Sequence, residues 1–310
     1  MQIKKPLFWQ DINLFSIFLY PISLITSLVN CLKKLNTKEK FNIKSICVGN
    51  IYVGGTGKTP LSIKISEILK NKFKIVFIKK KYIDQSDEQN LLKKRGKLIC
   101  THSRSIGLKK AIREKFDLAI LDDGLQEKKI KHNLTIACFN SNSKIGNGLL
   151  MPAGPLREKL SNIKAYDAVF LNGEKKDQKF ISKIKKINRN IKIFEGNYKI
   201  LNLKNLNRKK KYLIFSGIGN PEEFEKTLKQ HKFNFSKHLK FPDHYDFSFN
   251  DIKKIKDMAK MKDLKILTTE KDYLRLRKKS KKDINYVKID LNIKNLKTFS
   301  KFLNSKLWKI

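Results

Sequence analysis

The chain has 310 residues, enough to bury two hydrophobic cores, and its hydrophobic content of 40% excludes a disordered chain. Lys and Arg number 69 against 28 Asp and Glu, a formal net charge of +41, but the excess is mostly lysine spread over every segment. That pattern argues for a solvated surface that would suit anionic lipid headgroups, and against a dedicated nucleic-acid patch.

Four cysteines, Cys31, Cys47, Cys100 and Cys138, lie far apart without a C-x-x-C pair, so neither a zinc site nor a disulfide framework is indicated. Reduced thiols fit the cytoplasmic side of a membrane. From Ile12 to Leu32 the sequence is largely apolar and nearly long enough to cross a bilayer. Its polar residues Asn13, Ser16, Tyr20, Ser23, Ser27, Asn30 and Lys34 recur at alternating spacings of three and four, which places them on one helical stripe. A helix kinked near Pro21 is predicted, lying in a membrane surface or packed on a partner, as a monotopic anchor. The alternative is the core helix of a soluble protein.

Ile43 to Val48 is predicted as a buried strand and Pro60 to Lys70 as an amphipathic helix, so Gly54, Gly55 and Gly57 fall in a strand-to-helix turn. Glycines there let consecutive backbone N–H groups point at phosphate oxygens, with the positive end of the helix dipole behind them. Gly54, Gly55, Thr56, Gly57, Lys58 and Thr59 thus form a candidate ATP phosphate loop. Lys58 would reach the β and γ phosphates, and the Thr59 hydroxyl would face Mg2+. Tyr52 stands where the G-x-x-x-x-G-K-[ST] pattern has its first glycine.

Ile75 to Ile78 is the next strand. Asp87-Glu88 follow in a charged stretch and, read alone, are ordinary helix-start carboxylates. Asp117 to Gly124 runs apolar into Asp122-Asp123, a Walker B arrangement at the carboxyl end of a strand. One carboxylate would serve the metal and the other the hydroxyl being phosphorylated. Leu134 to Phe139 and Ala168 to Leu171 are further parallel strands. Between them, in a Gly/Pro-rich segment, Arg157 could clamp phosphate and Glu158 could join the metal shell.

After Arg208 to Lys211 the strand, Gly-rich turn and helix theme repeats at Tyr212 to Gln230 without a Lys-Thr, which marks a second, smaller α/β unit. A helix is predicted from Asn250 to Lys260, a strand from Leu264 to Leu267, a last strand around Tyr286 to Asp290 and a last helix from Leu296 to Leu307. Among the histidines, His244 lies in a Pro/Asp-rich loop where carboxylates could raise its pKa. The predicted fold class is α/β: an N-terminal apolar helix in 1–35, a phosphate-loop domain with a parallel sheet in 36–200, and a smaller α/β domain in 201–310.

These segments together resemble the tetraacyldisaccharide 4′-kinases of lipid A biosynthesis. The resemblance rests on Val48-Gly49-Asn50 through Gly54 to Pro60, on Asp122-Asp123-Gly124-Leu125-Gln126, and on Leu150 to Glu158. It continues through Gly217 to Pro221, Phe241 to Tyr245 and Thr268 to Asp272. It implies transfer of the ATP γ-phosphate to the 4′-hydroxyl of a lipid-linked disaccharide 1-phosphate at the cytoplasmic face of the inner membrane, with no specific nucleic acid and no obligate protein partner. It further implies that Tyr52 is no defect, that Lys58 and Asp123 serve the transfer, and that Asp87 acts as base coupled to His244. Thr59, Glu88, Asp122 and Glu158 would then serve Mg2+. One departure is Ile78-Lys79-Lys80-Lys81-Tyr82, where the family usually has Ser-Arg-Gly-Tyr-Gly after its second strand. The rival reading is a membrane-recruited, partner-switching phosphate-loop ATPase. Val53 stands where those proteins carry a signature lysine, which counts against it.

Overall fold

The computed structural model describes residues 6–32, 37–81, 86–173 and 177–308. Lys34 of the polar stripe and Tyr82 of the altered segment lie outside them. The chain opens with α1 (Leu14–Leu32), which has Pro21 inside it, and passes through the short β1 (Glu39–Lys40) into β2 (Lys44–Gly49). From Ser45 onward β2 is wholly buried, which is why Ile46, Cys47 and Val48 form a continuous apolar run and do not alternate. Then come α2 (Lys58–Leu69), β3 (Ile75–Lys80), α3 (Ser86–Arg95), β4 (Lys97–Thr101) and α4 (Arg104–Arg113). They are followed by β5 (Leu118–Asp122), β6 (Ile130–Lys131), β7 (Leu134–Asn140), β8 (Ala168–Asn172), α5 (Gln178–Ile187) and β9 (Lys192–Ile200).

The later part of the chain forms β10 (Lys211–Ser216), α6 (Pro221–Gln230), β11 (Asn234–Lys240), α7 (Phe249–Met261) and β12 (Lys265–Thr269). It ends in α8 (Glu270–Arg275), β13 (Ile284–Val287), β14 (Ile289–Ile293) and α9 (Leu296–Leu307).

Among the described residues two compact units are present, the larger drawn from Lys5–Lys81, Arg95–Asn197 and Asn292–Ile310, the smaller from Tyr82–Lys94 and Tyr198–Leu291. In the large sheet the strands run in the order β14-β9-β8-β7-β2-β5-β3-β4. The strands from β9 to β4 pair in parallel, as connections through helices require. β2 sits between β5 and β7, with Val48 opposite Asp122 and Gly49 opposite Ala137. That register brings the carboxyl end of β5 level with the loop that leaves β2, the position where open α/β sheets bind ligands.

In the smaller unit four parallel strands run in the order β11-β10-β12-β13. Alternate residues of β10 supply its two cores: Tyr212 and Ile214 pack with Leu228, Phe233 and Leu267, whereas Leu213 and Phe215 pack with Ile252, Ile255 and Ile266.

The unit boundaries differ from the division expected at 200. Helix α9 buries Phe299, Leu303 and Leu307, and Phe299 packs against Phe170 and Phe194 of the large sheet with ring centroids 6.3 and 4.8 Å away. The stretch expected as one last strand is two. β13 pairs with β12, and at Lys288 the backbone N–H turns to Asn202 Oδ1, after which β14 joins the large sheet.

Candidate active site

The glycine turn owes its shape to backbone conformations that side chains disfavour, with φ of 106° at Gly54 and 90° at Gly57. Buried Asn50 braces it from within, donating from Nδ2 to the carbonyls of Tyr52 at 2.5 Å and Gly54 at 3.2 Å. Tyr52 is buried with Leu125, Leu150 and Leu156 and bridges to Leu156, so the residue at the pattern's glycine position anchors the loop in the core. Helix α2 starts behind Gly57 with no side-chain cap and no acidic residue in its first turn. The starts of α4 and α9 are likewise uncapped, whereas α5, α6, α7 and α8 are capped by Asp177, Asn220, Ser248 and Thr269. The unneutralised start of α2, with the buried Thr56 hydroxyl lacking a protein partner, suits a phosphate.

Asp122 ends β5 fully buried. Its Oδ2 accepts from Thr59 Oγ1 at 3.0 Å and Lys79 Nζ at 2.9 Å, and its Oδ1 from Ser62 Oγ at 3.2 Å. Lys79, only 1% exposed, belongs to the lysine run that departs from the family pattern, and it supplies a resident cation where the strand ends. Asp123, at φ 59°, is gripped from several sides. Arg157 Nη1 lies 3.1 Å from both of its carboxylate oxygens, Lys58 Nζ lies 3.7 Å away, and Arg104 Nη2 donates to its backbone carbonyl at 2.5 Å. Burial works against the Asp123 charge, but Lys58, Arg157 and Lys79 outweigh it and hold the carboxyl at about 2. Asp123 is therefore ionised at neutral pH and keeps Lys58 and Arg157 converged at the start of α2.

The segment from Leu150 to Glu158 lines the loop. Val53 N–H donates to Pro155 O at 2.9 Å, and Arg157 N–H to Ile51 O at 2.7 Å. Glu158, expected at the metal, is held by protein donors. Its carboxylate, 1% exposed, accepts from Lys128 Nζ at 2.8 Å, Asn162 Nδ2 at 2.6 Å, Tyr166 Oη at 3.1 Å and Gln126 Nε2 at 3.4 Å. Through these bonds it fixes the base of the Arg157 segment. Among the described residues no group of three or more His, Cys, Asp or Glu side chains is arranged to hold a metal ion.

On the smaller unit, His244 Nδ1 lies 2.9 Å from Asp87 Oδ1. His244 has φ 58°, and its backbone N–H donates to Gly217 O at 3.0 Å. Asp87 is 1% exposed in the first turn of α3. Burial opposes its ionisation, but the hydrogen bond to His244 and the charge of Lys271 lower its pKa. Burial likewise opposes the His244 charge, and the bond to Asp87 with the nearby Asp243 carboxylate raises its pKa. Glu88, expected at the metal, forms an ion pair with Lys271 at 2.8 Å. Asp272 Oδ1 accepts from Gly217 N–H at 3.0 Å, so the Thr268 to Asp272 motif holds the turn that holds His244.

Sequence reasoning named Asn50, Lys79, Gln126, Lys271 and Asp272 within motifs or the departure from them but assigned none of them a role in the site. The Thr269-x-x-Asp272 spacing, a capping signature, could have flagged the last, and Thr269 Oγ1 donates to Asp272 Oδ2 at 2.6 Å. Asn50 and Gln126 stand in the motifs and Lys79 in the departure, but their bonding roles had no local signal, because each depends on a partner distant in sequence or on a loop conformation.

A parallel sheet whose central strand opens into a glycine turn, with a strand-end aspartate bonded to the turn's threonine, defines a phosphate-loop nucleotide-binding protein. Comparison narrows the class. The family model described as tetraacyldisaccharide-1-P 4′-kinase matches residues 15–308. A tetraacyldisaccharide 4′-kinase of Pelagibacter ubique is 47% identical over 317 aligned residues, covering 100% of this chain and 99% of its own. One from Rickettsia typhi is 34% identical, covering 100% of this chain and 99% of its own. The chain belongs to the tetraacyldisaccharide-1-P 4′-kinase family, and it is an enzyme, a kinase of lipid A biosynthesis. Its fold is that of the "apo" form of LpxK from Aquifex aeolicus, crystallised in complex with ATP. The TM-score is 0.72 at 21% identity, with 95% of this chain and 100% of that one covered.

Proposed function

We propose that ATP is the phosphate donor, that Mg2+ accompanies it, and that the reaction takes place at the cytoplasmic face of the inner membrane. The acceptor is the 4′-hydroxyl of tetraacyldisaccharide 1-phosphate, in keeping with the family. The observation that carries the reading is the convergence of Lys58 and Arg157 on Asp123 at the uncapped start of α2. Phosphate oxygens brought there meet the loop N–H groups together with the Lys58 ammonium and the planar Arg157 guanidinium, the two side chains oriented beforehand by Asp123. The Thr59 hydroxyl and the Asp122 carboxylate, bonded at 3.0 Å, fit a magnesium ion or its waters. Magnesium, when bound, neutralises charge on the β and γ phosphates.

In this reading Asp87 takes the proton of the acceptor hydroxyl. That proton neutralises the Asp87 carboxylate or passes to His244, 2.9 Å away, as an imidazolium beside the carboxylate, so the two act as one base. Helix α1 serves the lipid side: Leu14, Phe15, Phe18 and Ile25 are 83%, 71%, 81% and 63% exposed, a face suited to acyl chains. The partners are thus the lipid-linked disaccharide and an anionic membrane surface. Neither nucleic acid nor a second protein enters the reading. Asp87→Asn and His244→Ala should each lower kcat by about 100-fold or more, the usual range for a lost general base, with KM for ATP little changed. A kcat within a few-fold of the parent for both variants would remove the dyad from the mechanism.

A further inference from the structure

Helix α1 is turned inside out relative to an ordinary surface helix. Its apolar residues face outward, and its buried residues are Ser16 and Ser23. Ser16, Ser23 and Asn30 are seven residues apart in turn, so they share one face. Ser16 is spent on the helix start, where Asn13 N–H donates to its Oγ at 2.8 Å. The other two reach the segment that carries Arg157. Ser23 Oγ donates to Leu150 O at 2.9 Å and accepts from Ala153 N–H at 3.1 Å, and Asn30 Nδ2 donates to Arg157 O at 2.7 Å.

The main chain of Arg157 is consequently held on both sides. Its N–H is fixed to Ile51 at the root of the phosphate loop, and its carbonyl to the exposed-faced helix. Arg157 directs its guanidinium at both oxygens of Asp123 from that backbone. A helix seated in lipid loses freedom to rock, and hydrogen bonds from that helix pass the restraint to what they hold. We propose that Asn30 is a positioning residue for Arg157, through which seating of α1 in a lipid surface is transmitted to the nucleotide phosphate site. The inference rests on the membrane reading of α1 given above.

The test uses the full chain, vesicles of phosphatidylglycerol and phosphatidylethanolamine, and a fluorescent ATP analogue. The parent should sediment with the vesicles and bind the analogue about three- to ten-fold more tightly with them than without, the range one hydrogen bond can supply. Asn30→Ala should sediment equally well, since the apolar face is untouched, and should lose that gain. Ser27→Ala, on the same helix, should keep it. A parent that does not sediment overturns the membrane reading itself. A parent that sediments with unchanged nucleotide affinity, or an Asn30→Ala variant that retains the full gain, overturns the coupling while leaving membrane binding intact.

Discussion

Removing Lys79 strands the Asp122 carboxylate in the core without its cation. Breaking a buried pair in this way costs about 3–5 kcal/mol, so Lys79→Met should lower the urea midpoint sharply. Combining it with Asp122→Asn, which removes the stranded charge, should restore most of the loss. Equal destabilisation of the single and double variants would show that the pair is not the origin of the effect. A second residue-scale prediction concerns pH. The raised pKa of His244 contributes stability that is fully present below its unfolded value of about 6.5 and is lost as pH rises through the folded value. The lowered pKa of Asp87 contributes stability present above about 3.8 and lost as pH falls through its folded value. Urea unfolding should therefore find His244→Ala further from the parent at about pH 6 than at about pH 9, and a gap that widens on going to the higher pH would contradict the pairing. The residue identities at this site were legible in order and spacing, but their surroundings were not. Lys79 looks like any other of the 69 basic residues until β3 places it against Asp122. Glu158 has the chemistry of a metal ligand and also accepts from Lys128, Asn162, Tyr166 and Gln126, two of which follow it within eight residues without any pattern to announce the bonds.

At the scale of elements, the central strands β2, β3, β5, β7 and β8 were readable because they are buried apolar runs, whereas the more exposed β4 and β11 and helices α4 and α5 were not read. The polar stripe of α1 was legible from its spacing, and its bonding to the Leu150 to Arg157 segment explains why a stripe of serines and asparagine is there at all. What periodicity could not show is where a strand changes partners. Tyr286 to Asp290 reads as one strand, and bonds of Leu201 and Asn202 to Tyr286 and Lys288 mark its break into β13 and β14. The exposed face of α1 makes its own prediction. Phe18→Ser combined with Ile25→Ser removes two of its largest exposed side chains, each buried methylene being worth about 0.8 kcal/mol of membrane affinity. Sedimentation with anionic vesicles should fall at least ten-fold while the unfolding midpoint stays near that of the parent. Undiminished sedimentation would assign membrane binding to the lysine surface and not to the helix.

For the whole molecule, the net charge of +41 and the phosphate loop pull a sequence reading in different directions, one toward polyanions and the other toward nucleotides. The loop, the Asp122-Asp123 strand end and the His244 loop settle it, since basic character alone accounts for none of them, and membership of the 4′-kinase family follows from the full-length match. The chain's division into units was less legible: α9 lies last in sequence yet packs on the large sheet, and α3 up to Lys94 belongs to the smaller unit. The central claim is that ATP's terminal phosphate goes to the lipid-linked sugar. The most direct test is transfer of radiolabelled γ-phosphate from ATP to tetraacyldisaccharide 1-phosphate in detergent micelles, with the parent beside Asp123→Asn. Labelled lipid is expected from the parent, dependent on Mg2+, and at least a 100-fold lower rate from the variant, whose side chain no longer aligns Lys58 and Arg157. Hydrolysis of ATP by the parent with no labelled lipid would contradict that claim.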